Sequence, residues 1–263
     1  MAENWKDFEV ECFNYLQKTY TKATFQAFGQ SDSTRPDIYV VPSHGTPFYM
    51  ETKEGNAQCG QFVLIPNEEQ HRFDYSQKNK TPFFDSTNCI MDYMNSRFYS
   101  FANAGTSGEN IDLNDEIFYD WIISYYSRKG VEFFITKSAN YLIFPIERFP
   151  EYFDVSCCYR MKRSGSSAPG NSNTHEIKSI LRNNGIQGEL KFVGKELYLI
   201  TSENLDGVKL CGSKFTYMFR AGVNSHFLIR KLSNTCNSNV IFQISLKKYT
   251  QDKNDLSCFK DCL

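Results

Sequence analysis

The sequence predicts an α/β protein in which a small mixed sheet flanked by helices is followed by a β-rich, basic region. Three observations carry this expectation. Helical and strand periodicities alternate through the first 155 residues, and strand-like runs dominate after them. The charge changes sign at the same place. Residues 1–155 hold 13 Lys and Arg against 22 Asp and Glu, a net −9, whereas residues 156–248 hold 14 against 5, a net +9. Two regions are therefore expected, 1–155 and 156–263. At 41% hydrophobic and 16% aromatic over 263 residues, the chain has ample material for a packed core and not the composition of a disordered one.

The elements follow in order. Residues 4–20 read as a helix because Trp5, Phe8, Cys12, Phe13 and Leu16 recur at helical spacing. Residues 38–41 and 48–53 read as two strands around the turn PSHGTP. Residues 88–101 and 114–127 read as helices. In the second, Ile117, Phe118, Trp121, Ile122 and Tyr125 form the apolar stripe. Asn114 stands where it can cap that helix, and Asp115 and Glu116 sit at the positive end of its dipole. VEFFIT (131–136) and YLIFPI (141–146) read as strands joined by KSAN. YRMKRSGSSAPGNSN (159–173) reads as a basic loop because Gly, Ser and Asn crowd it. THEIKSILRNNG is a short helix ending at Gly185, ELKFVGKELYLI a hairpin, and KFTYMFR, HFLIRKL and VIFQISLKK are strands.

Several function classes are excluded. With no run of about 18 apolar residues, no membrane-spanning helix is expected. The stretch MAENWKDFEVECF lacks the basic and apolar segments of a secretion signal. Nine cysteines in such a chain read as reduced thiols of a cytoplasmic protein, and without a CxxC pair a structural zinc site is not expected. There is no Gly-rich phosphate loop of the P-loop or Rossmann type. His44, His71, His175 and His226 are scattered, which gives no basis for a serine or thiol nucleophile or an HNH-type site.

The informative stretch is RPDIYVVPSHGTPFYMETKEG, residues 35–55. Side chains alternate along a strand, so Glu51 and Lys53 share one face and Met50 and Thr52 the other. If 38–41 pairs with 48–53, Asp37 comes close to Glu51. Two carboxylates and an ammonium then converge at one end of a sheet, which is costly unless they pair or bind a cation. Two carboxylates suit Mg²⁺, which keeps waters and accepts phosphate oxygens, and a lysine beside them can orient a water for attack on phosphorus. Glu9 lies within the apolar stripe of the first helix, with Trp5, Cys12, Phe13 and Leu16 around it, so it points inward and needs a partner. Glu11 reads as solvent-facing.

Pro36 and Asp37, thirteen intervening residues, and then Glu51, Thr52 and Lys53 resemble the motif of the PD-(D/E)XK nucleases. The helix carrying Glu9 and the strands at 131–136 and 141–146 resemble that family's core, so the resemblance covers about residues 4–146. It implies that Asp37 and Glu51 bind Mg²⁺, that Lys53 assists the attacking water, and that Glu9 supports the metal site. Gln58 or Gln61, in NAQCGQF, resembles the Gln that follows the Lys in some members; spacing does not choose between them. A basic region beside such a core is most similar to the type II restriction endonucleases. The resemblance thus implies a Mg²⁺-dependent, sequence-specific endonuclease acting on double-stranded DNA, as a homodimer. Two other readings remain open here: a structure-specific repair or junction nuclease on the same core, and a non-catalytic DNA-binding protein on a nuclease fold.

The basic region supplies the candidate DNA contacts. Arg160, Lys162 and Arg163 stand in the predicted loop, where cations can meet phosphates or guanine edges. Arg220, Arg230 and Lys231 are interleaved with Tyr217, Phe219, His226 and Phe227, a pattern that fits nucleic acid and equally an aromatic β core with solvated cations.

Overall fold

The computed structural model describes residues 5–28, 35–163, 165–222, 226–233 and 236–263. In chain order these form α1 (Trp5–Thr19), β1 (Thr24–Ala27), β2 (Ile38–Val41), β3 (Phe48–Thr52), β4 (Asn56–Asn67), β5 (Arg72–Tyr75), α2 (Asp85–Asn95), α3 (Phe98–Ala102), β6 (Glu109–Asn110), α4 (Asp115–Ser127), β7 (Val131–Lys137), β8 (Tyr141–Pro145), α5 (Phe149–Tyr152) and β9 (Phe153–Arg163). There follow β10 (Ser166–Ser167), α6 (Thr174–Asn183), β11 (Glu189–Val193), β12 (Glu196–Ile200), β13 (Lys209–Cys211), β14 (Thr216–Ala221), β15 (His226–Leu232), β16 (Cys236–Leu246) and α7 (Lys253–Asp261). The chain divides into two compact units, Met1–Arg160 with Ser238–Leu263, and Met161–Asn237.

The first unit holds two five-stranded sheets. One has the order β1-β2-β3-β7-β8. β2 and β3 pair antiparallel with Ile38 opposite Met50, β3 and β7 run parallel with Glu51 opposite Phe134, and β7 and β8 are antiparallel. This is the mixed sheet expected from the alternating pattern. Its core cluster joins Cys12 and Leu16 of α1 and Phe259 of α7 to Ile38, Val40, Phe48, Met50, Phe133 and Ile135. The other sheet has the order β5-β4-β16-β9-β6.

Helix α4 serves both sheets. Its Trp121 stacks on Phe242 of β16 at 4.3 Å and lies 5.5 Å from Phe62 of β4. One turn on, Tyr126 meets Phe134 of β7 edge-on at 5.1 Å. Burying each such aromatic is worth about 2–3 kcal/mol, so α4 fixes the second sheet against the first. Asn114 accepts a bond from the Glu116 amide at 3.1 Å and caps the helix as expected.

The second unit is a six-stranded sheet, β11-β12-β15-β14-β13 with β10 added on β15. Ile177, Ile180 and Leu181 of α6 pack with Leu197, Leu199, Tyr217, Phe219, Phe227 and Ile229 of its strands.

The structure corrects three expectations. Residues 159–163 are not loop: β9 continues through Arg163, because Val155, Cys157 and Tyr159 alternate inward and its pairing in the sheet outweighs the local composition. The boundary at 155/156 also fails for the chain's end. β16 lies between β4 and β9, and Phe259 sits in the α1 core, so residues 238–263 return to the first unit. The helix expected over 88–101 is two, broken at Arg97, whose backbone is not helical. Among the described residues no helix is long and apolar enough to cross a membrane, and eight described cysteines are free thiols.

Candidate active site

The β2–β3 hairpin, α1, β4 and the end of α4 surround a cleft of about 950 Å³ that contains Glu9, Asp37, Glu51, Lys53, Gln58 and Gln61 among its lining. Period-two alternation puts Glu51 and Lys53 on one face of β3, and their side chains meet there, Lys53 Nζ donating to Glu51 Oε1 at 2.6 Å. The Lys53 amide donates to the Ile135 carbonyl at 3.0 Å, so the lysine backbone is held by the parallel neighbour just past the strand's end. Asp37 stands one residue before β2. Its Oδ2 accepts from the Thr52 amide at 2.9 Å and the Thr52 hydroxyl at 2.8 Å. The motif gives Thr52 no role, yet it clamps Asp37 in place from the strand that carries Glu51.

Glu51 is only 6% exposed, and its Oε2 is enclosed without a hydrogen-bond partner. Such an oxygen costs on the order of 1–3 kcal/mol or more. Burial pushes the Glu51 carboxyl up to about 7, and the Asp37 carboxylate adds to this. Burial likewise raises Glu9 to about 7, with Asp37 and then Glu51 contributing. Burial works to lower Lys53, but the Glu51 and Asp37 carboxylates outweigh it and hold the ammonium charged. Three carboxylates thus face Lys53, with Lys6 also acting on Glu9 and Lys129 on Glu51. The Cys59 thiol, also buried here, is pushed up to about 12 and is not a nucleophile at neutral pH.

The residues fit a hard divalent cation. Asp37 engages only Oδ2 in the bonds described, and Glu51 presents an unsatisfied oxygen. No cluster of three or more Asp, Glu, His or Cys side chains among the described residues encloses an ion unaided. Two carboxylates completed by water and phosphate oxygens are what Mg²⁺ takes.

Gln58 and Gln61 are three apart and would face opposite sides of a regular strand. They do not, because β4 bulges. Gln61 pairs with Ile241 and Gln58 with Gln243, so Cys59 and Gly60 together oppose Phe242. Gly60 takes φ +139°, and a Cβ there would lie 2.6 Å from Trp121. The bulge turns both glutamines to the cleft, where Gln58 Nε2 donates to Gln61 Oε1 at 3.0 Å. Both glutamines therefore line the cleft.

Glu11 is exposed as expected, and it accepts from Lys137 and from the Tyr141 hydroxyl. Further cations line the cleft that the motif did not indicate, among them Lys78, Lys80 and Arg128. Arg128 follows directly on α4, and Lys78 and Lys80 stand in the basic triplet KNK, which is visible in the sequence but has no place assigned by it.

No protein-family model and no curated protein matches the chain. Among solved structures it is similar to HhaI endonuclease in complex with DNA, at 40% identity over 99% of both chains and a TM-score of 0.72. The chain belongs to the type II restriction endonucleases. Enzymes of this family hydrolyse phosphodiester bonds of double-stranded DNA at a specific sequence, so the repair-nuclease and non-catalytic readings are set aside.

For a restriction endonuclease the basic candidates differ in availability. Arg160 is half-buried on β9, its Nε enclosed without a hydrogen-bond partner. The side chains of Lys162 and Arg163 lie outside the described residues. Arg220 is exposed on β14. Arg230 is committed within its unit: it donates to Glu196 at 3.1 and 3.2 Å and to the Ser166 hydroxyl and carbonyl at 3.2 and 2.9 Å. Lys231 lies over the Phe215 ring at 4.5 Å.

Proposed function

We propose that Asp37, Glu51 and Lys53 form a PD-(D/E)XK-type catalytic centre through which this restriction endonuclease hydrolyses DNA with Mg²⁺. The observation that carries the reading is the buried, unsatisfied Oε2 of Glu51 in one cleft with Asp37 and Lys53. Asp37 and Glu51 hold the cation. When bound, Mg²⁺ supplies positive charge to the phosphate oxygens and makes water more acidic. Lys53 keeps its proton, orients the attacking water and balances the charge that builds on the phosphoryl group. Thr52 holds Asp37 still while this happens. Glu9 supports the site as a reserve acceptor from α1. Gln61, braced by Gln58, donates into the cleft.

The first unit carries this chemistry, and the duplex is contacted by Arg160 at its edge and by basic residues of the second. Arg160, Lys162, Arg163, Arg220 and Lys231 are the DNA contacts in this reading, with Arg230 bracing β10 and β12 against β15. Among the described residues one chain carries one such centre. Cutting both strands therefore takes a homodimer, as the resemblance implies, or two successive nicks. Sedimentation with a bound duplex and the time course of nicked plasmid separate these. The working compartment is the cytoplasm.

The test is cleavage of modified and unmodified plasmid in Mg²⁺ or EDTA by wild type and Lys53→Ala. Wild type should give discrete bands in Mg²⁺ alone. The variant should lose roughly 10²–10³-fold or more in rate, the usual effect of removing one transition-state donor. Equal cutting by the variant, or bands that survive EDTA, would remove the catalytic role from this hairpin.

A further inference from the structure

We propose that Lys78 and Lys80 contact DNA phosphates and that the loop 76–82 is a backbone clamp at the mouth of the carboxylate cleft. The proposal rests on the reading of Asp37, Glu51 and Lys53 as the hydrolytic centre.

The loop is built to stay in place. Asn79 acts as a substitute strand residue against β4: its Oδ1 accepts from the Val63 amide at 2.7 Å and its Nδ2 donates to the Val63 carbonyl at 2.8 Å. The Ser76 amide donates to the same carbonyl at 3.1 Å, and the Asn79 amide donates to the Ser76 carbonyl at 3.0 Å. The Tyr75 hydroxyl donates to the Thr81 carbonyl at 2.8 Å. The anchor is the strand whose bulge delivers Gln58 and Gln61 to the same cleft. The loop's position is thereby tied to the hydrolytic centre.

Either side of the pinned Asn79, Lys78 and Lys80 are exposed and line the cleft. Among the described residues neither ammonium makes a hydrogen bond, an ion pair or a ring contact. Lys53, Lys137, Lys247 and Lys248 each hold a carboxylate partner. A solvated surface lysine needs no anchored loop. A pair on a five-fold tied loop, at the rim of a cleft with three carboxylates inside, has an electrostatic purpose. A phosphodiester approaching Glu9, Asp37 and Glu51 is repelled, and fixed cations at the rim offset that repulsion and set the strand's path. The ligand is the sugar–phosphate backbone of the strand being cut, read without regard to base.

The experiment compares wild type, Lys78→Gln/Lys80→Gln and Glu51→Gln on a labelled duplex spanning a mapped cut site. Binding is measured by anisotropy in EDTA across a KCl series, and cleavage in Mg²⁺. Removing one lysine–phosphate ion pair should make the plot of log affinity against log salt shallower by about 0.9, so the double variant should be shallower by about 1.8. Its kcat/KM should fall through KM. Glu51→Gln should keep the wild-type slope and fail to cut. A wild-type slope in the lysine variant, with Glu51→Gln inactive, overturns the clamp alone. Cutting by Glu51→Gln at the wild-type rate overturns the underlying site.

Discussion

Replacing Glu51 by Gln tests the electrostatics of the site separately from its chemistry. The side chain keeps its shape and loses its charge. In the folded protein the Glu51 carboxyl is pushed from 4.5 to about 7 by burial and by Asp37. The folded value lies above the unfolded one, so the folded protein keeps a proton that the unfolded chain releases between those two pH values. Wild type therefore loses stability relative to the variant as pH rises through that window. At about 1.4 kcal/mol per tenfold change in proton affinity, the whole window is worth about 3 kcal/mol. Lys53 loses its partner in the variant. The Asp37 carboxylate still faces the ammonium there. The assay is urea unfolding in EDTA, in half-unit steps from about pH 4.5 to about 8. Tryptophan fluorescence follows the correct unit, because Trp5 and Trp121 both lie in the first. The difference between wild type and variant should change by about 3 kcal/mol, and Mg²⁺ at the alkaline end should recover stability in wild type only. A difference that stays flat with pH would refute the claim that Glu51 is ionised at a cost.

Two further substitutions examine the scaffold. Gly60→Ala places a methyl 2.6 Å from Trp121 at a φ of +139°, so overpacking and backbone strain together should destabilise the first unit by about 2–4 kcal/mol; urea unfolding that moves by less than about 1 kcal/mol would mean that the bulge relaxes freely. In the second unit, Arg230→Ala removes bonds to Glu196 and Ser166 and should cost about 1–2 kcal/mol of that unit's stability. Arg220→Ala, at an exposed position, should weaken DNA binding and leave unfolding as it was. The reverse pattern would exchange their roles.

Much of the first unit was legible because its signals are local. A period of two assigned Glu51 and Lys53 to one face, and a period of 3.6 turned Glu9 inward. Asn114 announced α4, and the hairpin around PSHGTP carried Asp37 to the start of the neighbouring strand. These follow from backbone geometry that each segment has on its own. What tertiary structure alone decided depends on partners far away in the chain. Gln58 and Gln61 face one cleft only because β16 forces a bulge in β4 with Trp121 packed on Gly60. Residues 159–163 are strand because β9 has a place in a sheet. The C-terminal segment belongs to the first unit because β16 completes that sheet and Phe259 fills the α1 core. The Thr52 clamp on Asp37, the unsatisfied oxygen of Glu51 and the tied loop bearing Lys78 and Lys80 are likewise products of packing. Sequence periodicity sets which way a side chain points; burial and register set what it meets there, and with it the charge it can carry.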